Sequence, residues 1–210
     1  MKTDELIAIL SQDSTAKKPR LSLEVLGSFL LVFCFLTTQL WLGLRPELDT
    51  ASFPVSFWFK TLLLGSLVTL SLQALKSSSV PLGRFKLRFF GIGFAVFVVA
   101  ALAYEWTTKS TNQIEDLFLL PNFKMCLIYS TLYGSGLSLV ILAAVKKYAA
   151  PLNLGRTAGF IGLSAACIGG LGYSIHCPID SPTFIVIAYG LPQLVLYGFA
   201  RLLFARFLRW

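Results

Sequence analysis

Six apolar blocks divide this chain, each close to the roughly 20 residues that an α-helix needs to cross hydrocarbon. They cover about residues 23–44, 57–75, 89–106, 125–145, 157–175 and 183–203. A chain of 210 residues built this way has little length left for a soluble domain. Composition agrees: 56% of residues are hydrophobic, 13% are charged and mean hydropathy is +0.74. Soluble domains carry about 25% charged residues. A soluble α/β enzyme, a disordered regulator and a disulfide-stapled secreted domain are therefore excluded. The blocks are rich in Gly and β-branched residues, yet in lipid a helix is the open-ended way to satisfy backbone polar groups. No ten-residue segment alternates apolar with polar, which excludes a β-barrel. The first block is too long for a signal-peptide core and has no A-x-A site, so it is expected to be retained. The expected fold is all-α, a six-transmembrane-helix bundle over 21–210. Residues 1–20 form a cytoplasmic N-terminal amphipathic helix and linker.

Net charge is +8, with a pI of 9.5. Sorted by loop, 14 of the 18 basic residues fall on the N-terminal side against four acidic ones, giving +10. The other side has four basic and six acidic residues, giving −2. The positive-inside rule then places both termini in the cytoplasm of a bacterial inner membrane. The basic face is read as orientation and anionic-lipid contact. No direct nucleic-acid partner is expected, since no basic stretch is interleaved with base-stacking aromatics.

No Asp, Glu, Lys, Arg or His falls in mid-block. Glu24, Lys60, Glu105 and Arg201 sit near block ends, where they are expected to snorkel. Coupled transport needs ionisable groups at mid-depth, so a pump is disfavoured. A small-molecule transporter or channel is the runner-up. Pro192-Gln193 is the one polar, helix-breaking spot near the core of a span. The chain has one histidine and no G-x-S-x-G, P-loop or C-x-x-C, so no enzyme is expected. A membrane thiol-redox enzyme lacks its usual dithiol motif. Gly155, Gly159, Gly162, Gly169, Gly170 and Gly172 crowd the fifth block, as a tightly packed central helix requires. The second, fourth and sixth blocks open alike, with Pro54, Pro121 and Pro182 each followed by Phe. Proline suits a first helical turn, and Ser181 is placed to cap the sixth.

Cys34 and Cys167 lie within blocks and read as packing residues. Cys126 begins the fourth block and Cys177 follows the fifth, which puts both thiols at one depth on the outer face. There they can form a disulfide. With His176 and Asp180 they can instead make a soft or borderline metal site. At the other end, residues 1–13 read as a short helix capped by Thr3, with Asp4 and Glu5 at its positive end. Leu6, Ile7 and Leu10 form an apolar strip. Its acidic polar face argues for a protein partner over lipid.

The start Met1-Lys2-Thr3-x-x-Leu6-Ile7-x-x-Leu10-x-x-Asp13 resembles the NrsF-like family of bacterial inner-membrane anti-sigma factors. So do Gly43-Leu44-Arg45-Pro46-Glu47-Leu48, Phe57-Trp58-x-Lys60, Cys126, His176-Cys177-Pro178-x-Asp180-Ser181-Pro182-x-Phe184, Tyr189-Gly190 and Leu208-Arg209-Trp210. The resemblance covers the whole chain. It implies a protein that holds an extracytoplasmic-function sigma factor at the membrane and releases it under metal or oxidative stress. Lys2, Thr3, Asp4, Leu6, Ile7, Leu10 and Asp13 are then the sigma-factor-binding residues, and Cys126 and Cys177 the sensors. No cofactor is implied beyond regulatory heavy-metal capture at the two thiols. The oligomeric state is left open.

Overall fold

The computed structural model describes residues 22–43, 45, 55–79, 88–119, 121–149, 151 and 153–208. Among the described residues are seven helices and no strand. They are α1 (Leu23–Leu42), α2 (Val55–Ser78), α3 (Arg88–Thr108), α4 (Thr111–Leu119), α5 (Pro121–Tyr148), α6 (Leu154–Ser174) and α7 (Pro182–Phe207). Six of them are long and apolar enough to cross a membrane, and they coincide with the six blocks to within a few residues. The exception is α4, a short amphipathic segment that the block pattern leaves as loop. The expected N-terminal helix lies outside the described residues.

Local chemistry sets the helix ends. Ser22 Oγ accepts from Val25 N, Asn153 Oδ1 from Arg156 N and Ser181 Oγ from Phe184 N, so α1, α6 and α7 each start on a side-chain cap. Pro121 and Pro182 occupy first-turn positions, as expected. Gly43 closes α1 at φ +79°, a left-handed conformation that favours glycine, while its N–H bonds to Gln39 O. Hydroxyls within the helices bond back to their own carbonyls, as Ser71 does to Val68 O. Pro192 does not break α7, which runs through it. That departs from the helix-breaking role expected of it.

α6 is the axis of the protein. It packs against α1, α2, α5 and α7, and most of its residues are buried. Its glycines make this possible, one neighbour at a time. A Cβ on Gly172 would meet Cys34 of α1, on Gly169 Tyr133 of α5, and on Gly159 the Tyr197 ring of α7. On Gly162 it would meet the carbonyl oxygen of Leu196, which is backbone and cannot rotate away. Close backbone approach is what holds helices together where lipid supplies no hydrophobic drive. Gly162→Ala is therefore expected to separate α6 from α7 at a cost of about 1–3 kcal/mol. Gly136→Ala, which faces open space, should cost nothing. Thermal melts of the two purified variants decide it, and equal midpoints would remove Gly162 from the packing argument.

The exterior is apolar. Phe29, Val32 and Leu40 on α1, Ile92, Val96 and Val99 on α3, and Leu194 and Leu202 on α7 are all exposed. Such a surface is compatible with a membrane protein and not with a water-exposed monomer. α3 contributes least to the interior and packs chiefly on α7.

Candidate functional site

The end of the protein where α2, α5 and α7 begin holds nearly all of its buried charge. Cys126 sits in the second turn of α5 and Cys177 in the segment between α6 and α7. Both are free thiols and both are buried, and Cys126 Sγ donates to Cys177 Sγ at 3.2 Å. The two cysteines, 51 residues apart in sequence, thus meet in space. The fully buried Tyr189 of α7 places its hydroxyl 3.7 Å from Cys126 Sγ.

The segment carrying Cys177 is pinned from three sides. From α2, the fully buried Lys60 ammonium donates to Cys177 O at 2.7 Å and Ile179 O at 3.3 Å, and pairs with the Asp180 carboxylate. Its three donors are thereby used. From the end of α1, Arg45 donates to both Asp180 oxygens at 2.9 and 3.0 Å, and Ser56 Oγ adds a bond at 3.3 Å. From α3, the buried Glu105 accepts from Ser181 Oγ at 2.6 Å, Thr183 N at 2.7 Å and Lys109 Nζ at 2.7 Å. Glu105 thus sits on the N-terminal turn of α7, where backbone N–H groups and the helix dipole favour an anion. Trp106 Nε1 donates to Thr183 Oγ1 beside it.

These contacts correct one expectation. Lys60 and Glu105 do not snorkel outward; both are buried and hold the segment 177–183. Glu24 and Arg201 are exposed, as end positions should be, and Glu24 pairs with Lys76 across the surface.

Of the four residues expected to share a metal, the two cysteines meet, while His176 and Asp180 are held elsewhere. His176 Nδ1 lies 2.9 Å from Gly43 O, donating to it, and Asp180 is held between Arg45 and Lys60. Among the described residues no three His, Cys, Asp or Glu side chains form a metal-binding group. The thiol pair stands by itself, and His176 and Asp180 serve to hold its loop. Lys2, Thr3, Asp4, Leu6, Ile7, Leu10 and Asp13 lie outside the described residues.

The pair is electrostatically uneven. The thiolate of Cys177 is favoured first by the hydrogen bond from Cys126, then, against its burial, by the Lys60 ammonium and the Ile179 N–H. Its pKa is lowered from that of an ordinary thiol. Chemically, such a pair presents one nucleophilic sulfur beside a second, resolving one. An open cavity of about 640 Å³ lies against the outer side of the loop, lined by Arg45, Ser56, Glu105, Lys109, Pro178 and Asp180.

The sequence places the two cysteines at one depth and names Arg45, Lys60 and Tyr189 in family-like motifs and Glu105 at a block end, but assigns none of these four a part at the thiol loop. The available signal was a lysine four residues inside an apolar block, a position that demands a partner.

A family model described as negative regulator of sigma F matches residues 10–210. The anti-sigma-F factor NrsF of Caulobacter vibrioides (strain NA1000 / CB15N) is 28% identical over 201 residues, covering 93% of this chain and 94% of that protein. No solved structure matches the chain.

Proposed function

The chain belongs to the NrsF family of negative regulators of sigma F, and from that premise we propose an inner-membrane anti-sigma factor that reads a thiol signal. Both termini lie in the cytoplasm, as the distribution of basic residues favours. The apolar strip of Leu6, Ile7 and Leu10 enters a groove on an extracytoplasmic-function sigma factor. Lys2 and Asp4 set the register, and Thr3 and Asp13 bound the helix. The protein is not an enzyme; its family acts by binding.

The observation that carries the sensing half is the contact of Cys126 with Cys177 beside a buried lysine. With hydrogen peroxide, the Cys177 thiolate attacks one oxygen and breaks the O–O bond to give a sulfenic acid and hydroxide, which takes up the proton the thiol had released and leaves as water. Cys126 then displaces a second water to close the disulfide. A soft metal captured by the two thiolates is the alternative stimulus. Either event draws α5 toward the segment before α7. A tenfold change in sigma-factor release needs a difference of only about 1.4 kcal/mol between the two arrangements.

The test is a double substitution, Cys126→Ser with Cys177→Ser, assayed by pull-down from solubilised membranes and by target transcription. The variant should insert, retain the sigma factor and fail to release it on oxidant or heavy metal. Normal release would remove the cysteines from sensing. A pull-down with no sigma factor from the unmodified protein would remove the anti-sigma reading itself.

A further inference from the structure

A second cavity, of about 450 Å³, lies between α2, α3 and α7, in the middle of the helices. Its walls are apolar, with Leu64, Leu67, Phe94, Val98 and Ile185 among them, and it opens to the surface where Leu191 and Leu194 are exposed. Two of its lining residues carry polar side chains, Tyr189 and Gln193. The Tyr189 hydroxyl is engaged near Cys126. Gln193 is not so served: the residue is 6% exposed and its Nε2 has no hydrogen-bond partner among the described residues. A carboxamide donor left unpaired in hydrocarbon is strongly unfavourable, and the space beside it is large enough for a ligand.

We propose that this cavity binds a neutral, lipid-soluble molecule whose carbonyl oxygen accepts a hydrogen bond from Gln193. Charge is disfavoured, because no ionisable group except Tyr189 lines the space. An ordinary phospholipid does not meet the requirement. Gln193 is the twelfth of the 26 residues of α7, about 17 Å along the axis from Pro182. Ester carbonyls stay at the interface, and the acyl chain that reaches this depth has no acceptor. The occupant must carry its carbonyl into the hydrocarbon, as a quinone or a long-chain ketone does. Entry is from the side of α3, the least tightly packed of the long helices. The occupant also packs against Tyr189, the residue that touches the thiol pair from the other side.

Thermal-shift titrations of the full-length protein in detergent test this with three probes sharing one alkyl tail: the plain alkane, a dialkyl ketone and a fully substituted quinone. The carbonyl probes should bind about tenfold tighter than the alkane, the size of one net hydrogen bond. Gln193→Leu should erase that preference while leaving alkane binding. Equal binding of alkane and carbonyl probes, or no binding of any, overturns the proposal, as does a preference that survives in Gln193→Leu. Should that variant fold poorly, Val98→Trp fills the cavity from α3 and should abolish carbonyl-probe binding; binding that persists overturns the proposal. Tighter binding of the quinone than of the ketone assigns the site to membrane quinones. The reverse order assigns it to a carbonyl lipid.

Discussion

Asp180→Asn is expected to be the most damaging single substitution at the thiol end of the protein, destabilising it by about 3–5 kcal/mol. The carboxylate is the shared partner of two buried cations, Arg45 and Lys60. Removing it takes the counter-charge from the fully buried Lys60 and a two-oxygen acceptor from Arg45, and a buried uncompensated charge is among the worst defects a protein can carry. Lys60→Met is expected to be milder, although it also empties a buried position. It leaves Arg45 and Asp180 as a balanced pair, and what is lost is the donor to the carbonyls of Cys177 and Ile179. That loss is worth about 1–3 kcal/mol. Thermal midpoints of the purified variants give the order. A Lys60→Met protein less stable than Asp180→Asn would show that the carbonyl bonds, not the carboxylate, hold the loop. The lysine variant has a second signature. The hydrogen bond from Cys126 and, after it, the ammonium favour the Cys177 thiolate, so in the native protein thiolate forms at lower pH than in an ordinary thiol, and reaction with a small thiol reagent should reach its plateau correspondingly early. Without Lys60 the Cys177 pKa rises, and the rate profile should move to higher pH. An unmoved profile would take the lysine out of the thiol chemistry.

Leu6→Asp should weaken sigma-factor binding more than tenfold and raise transcription of its targets, with membrane insertion unchanged. Burying one leucine contributes roughly 1.5–3 kcal/mol, and an aspartate in the same groove adds an unpaired charge. In the proposed interface Leu6 shares its apolar strip only with Ile7 and Leu10, so its loss is expected to go uncompensated. Co-purification measures the first effect and reporter transcription the second. If the Leu6→Asp protein still brings down its sigma factor, the interface belongs instead to the basic loops around residues 84–88 or 146–156.

The six long apolar helices were readable in the sequence because length and hydropathy suffice to specify a helix of membrane-crossing length, whatever it packs against. The central position of α6 was readable too, since few helices carry so many glycines unless neighbours press on every side. α4 was not, because nine residues with mixed polarity fall below any block criterion. The thiol contact was half readable. Counting spans gives two cysteines the same depth but not the same side of the bundle, and only the packing of α5 on α6 brings them together. His176, Cys177 and Asp180 looked like a ligand set because they are near neighbours in sequence. In an irregular segment such neighbours point apart, and these two take partners 133 and 135 residues away. Lys60 and Glu105 were misjudged for the same reason. Their depth was right, but apart from the Glu105–Lys109 pair one turn along α3 their partners lie more than 70 residues away, beyond any local pattern.

The hydrogen bond from His176 to Gly43 ties the thiol loop to the C-terminal end of α1. Gly43 is the C-terminal cap of α1, and His176 is the residue next to Cys177. A helix of 20 residues is about 30 Å long and moves as a stiff body. Under the proposed function, a displacement of the Cys177 loop would pass through that bond to α1, whose far end is Ser22, and the proposed sigma-factor-binding residues precede Ser22 in the sequence. Because α1 packs closely on α6, with Cys34 against Gly172, such a displacement would also load the glycine-packed core.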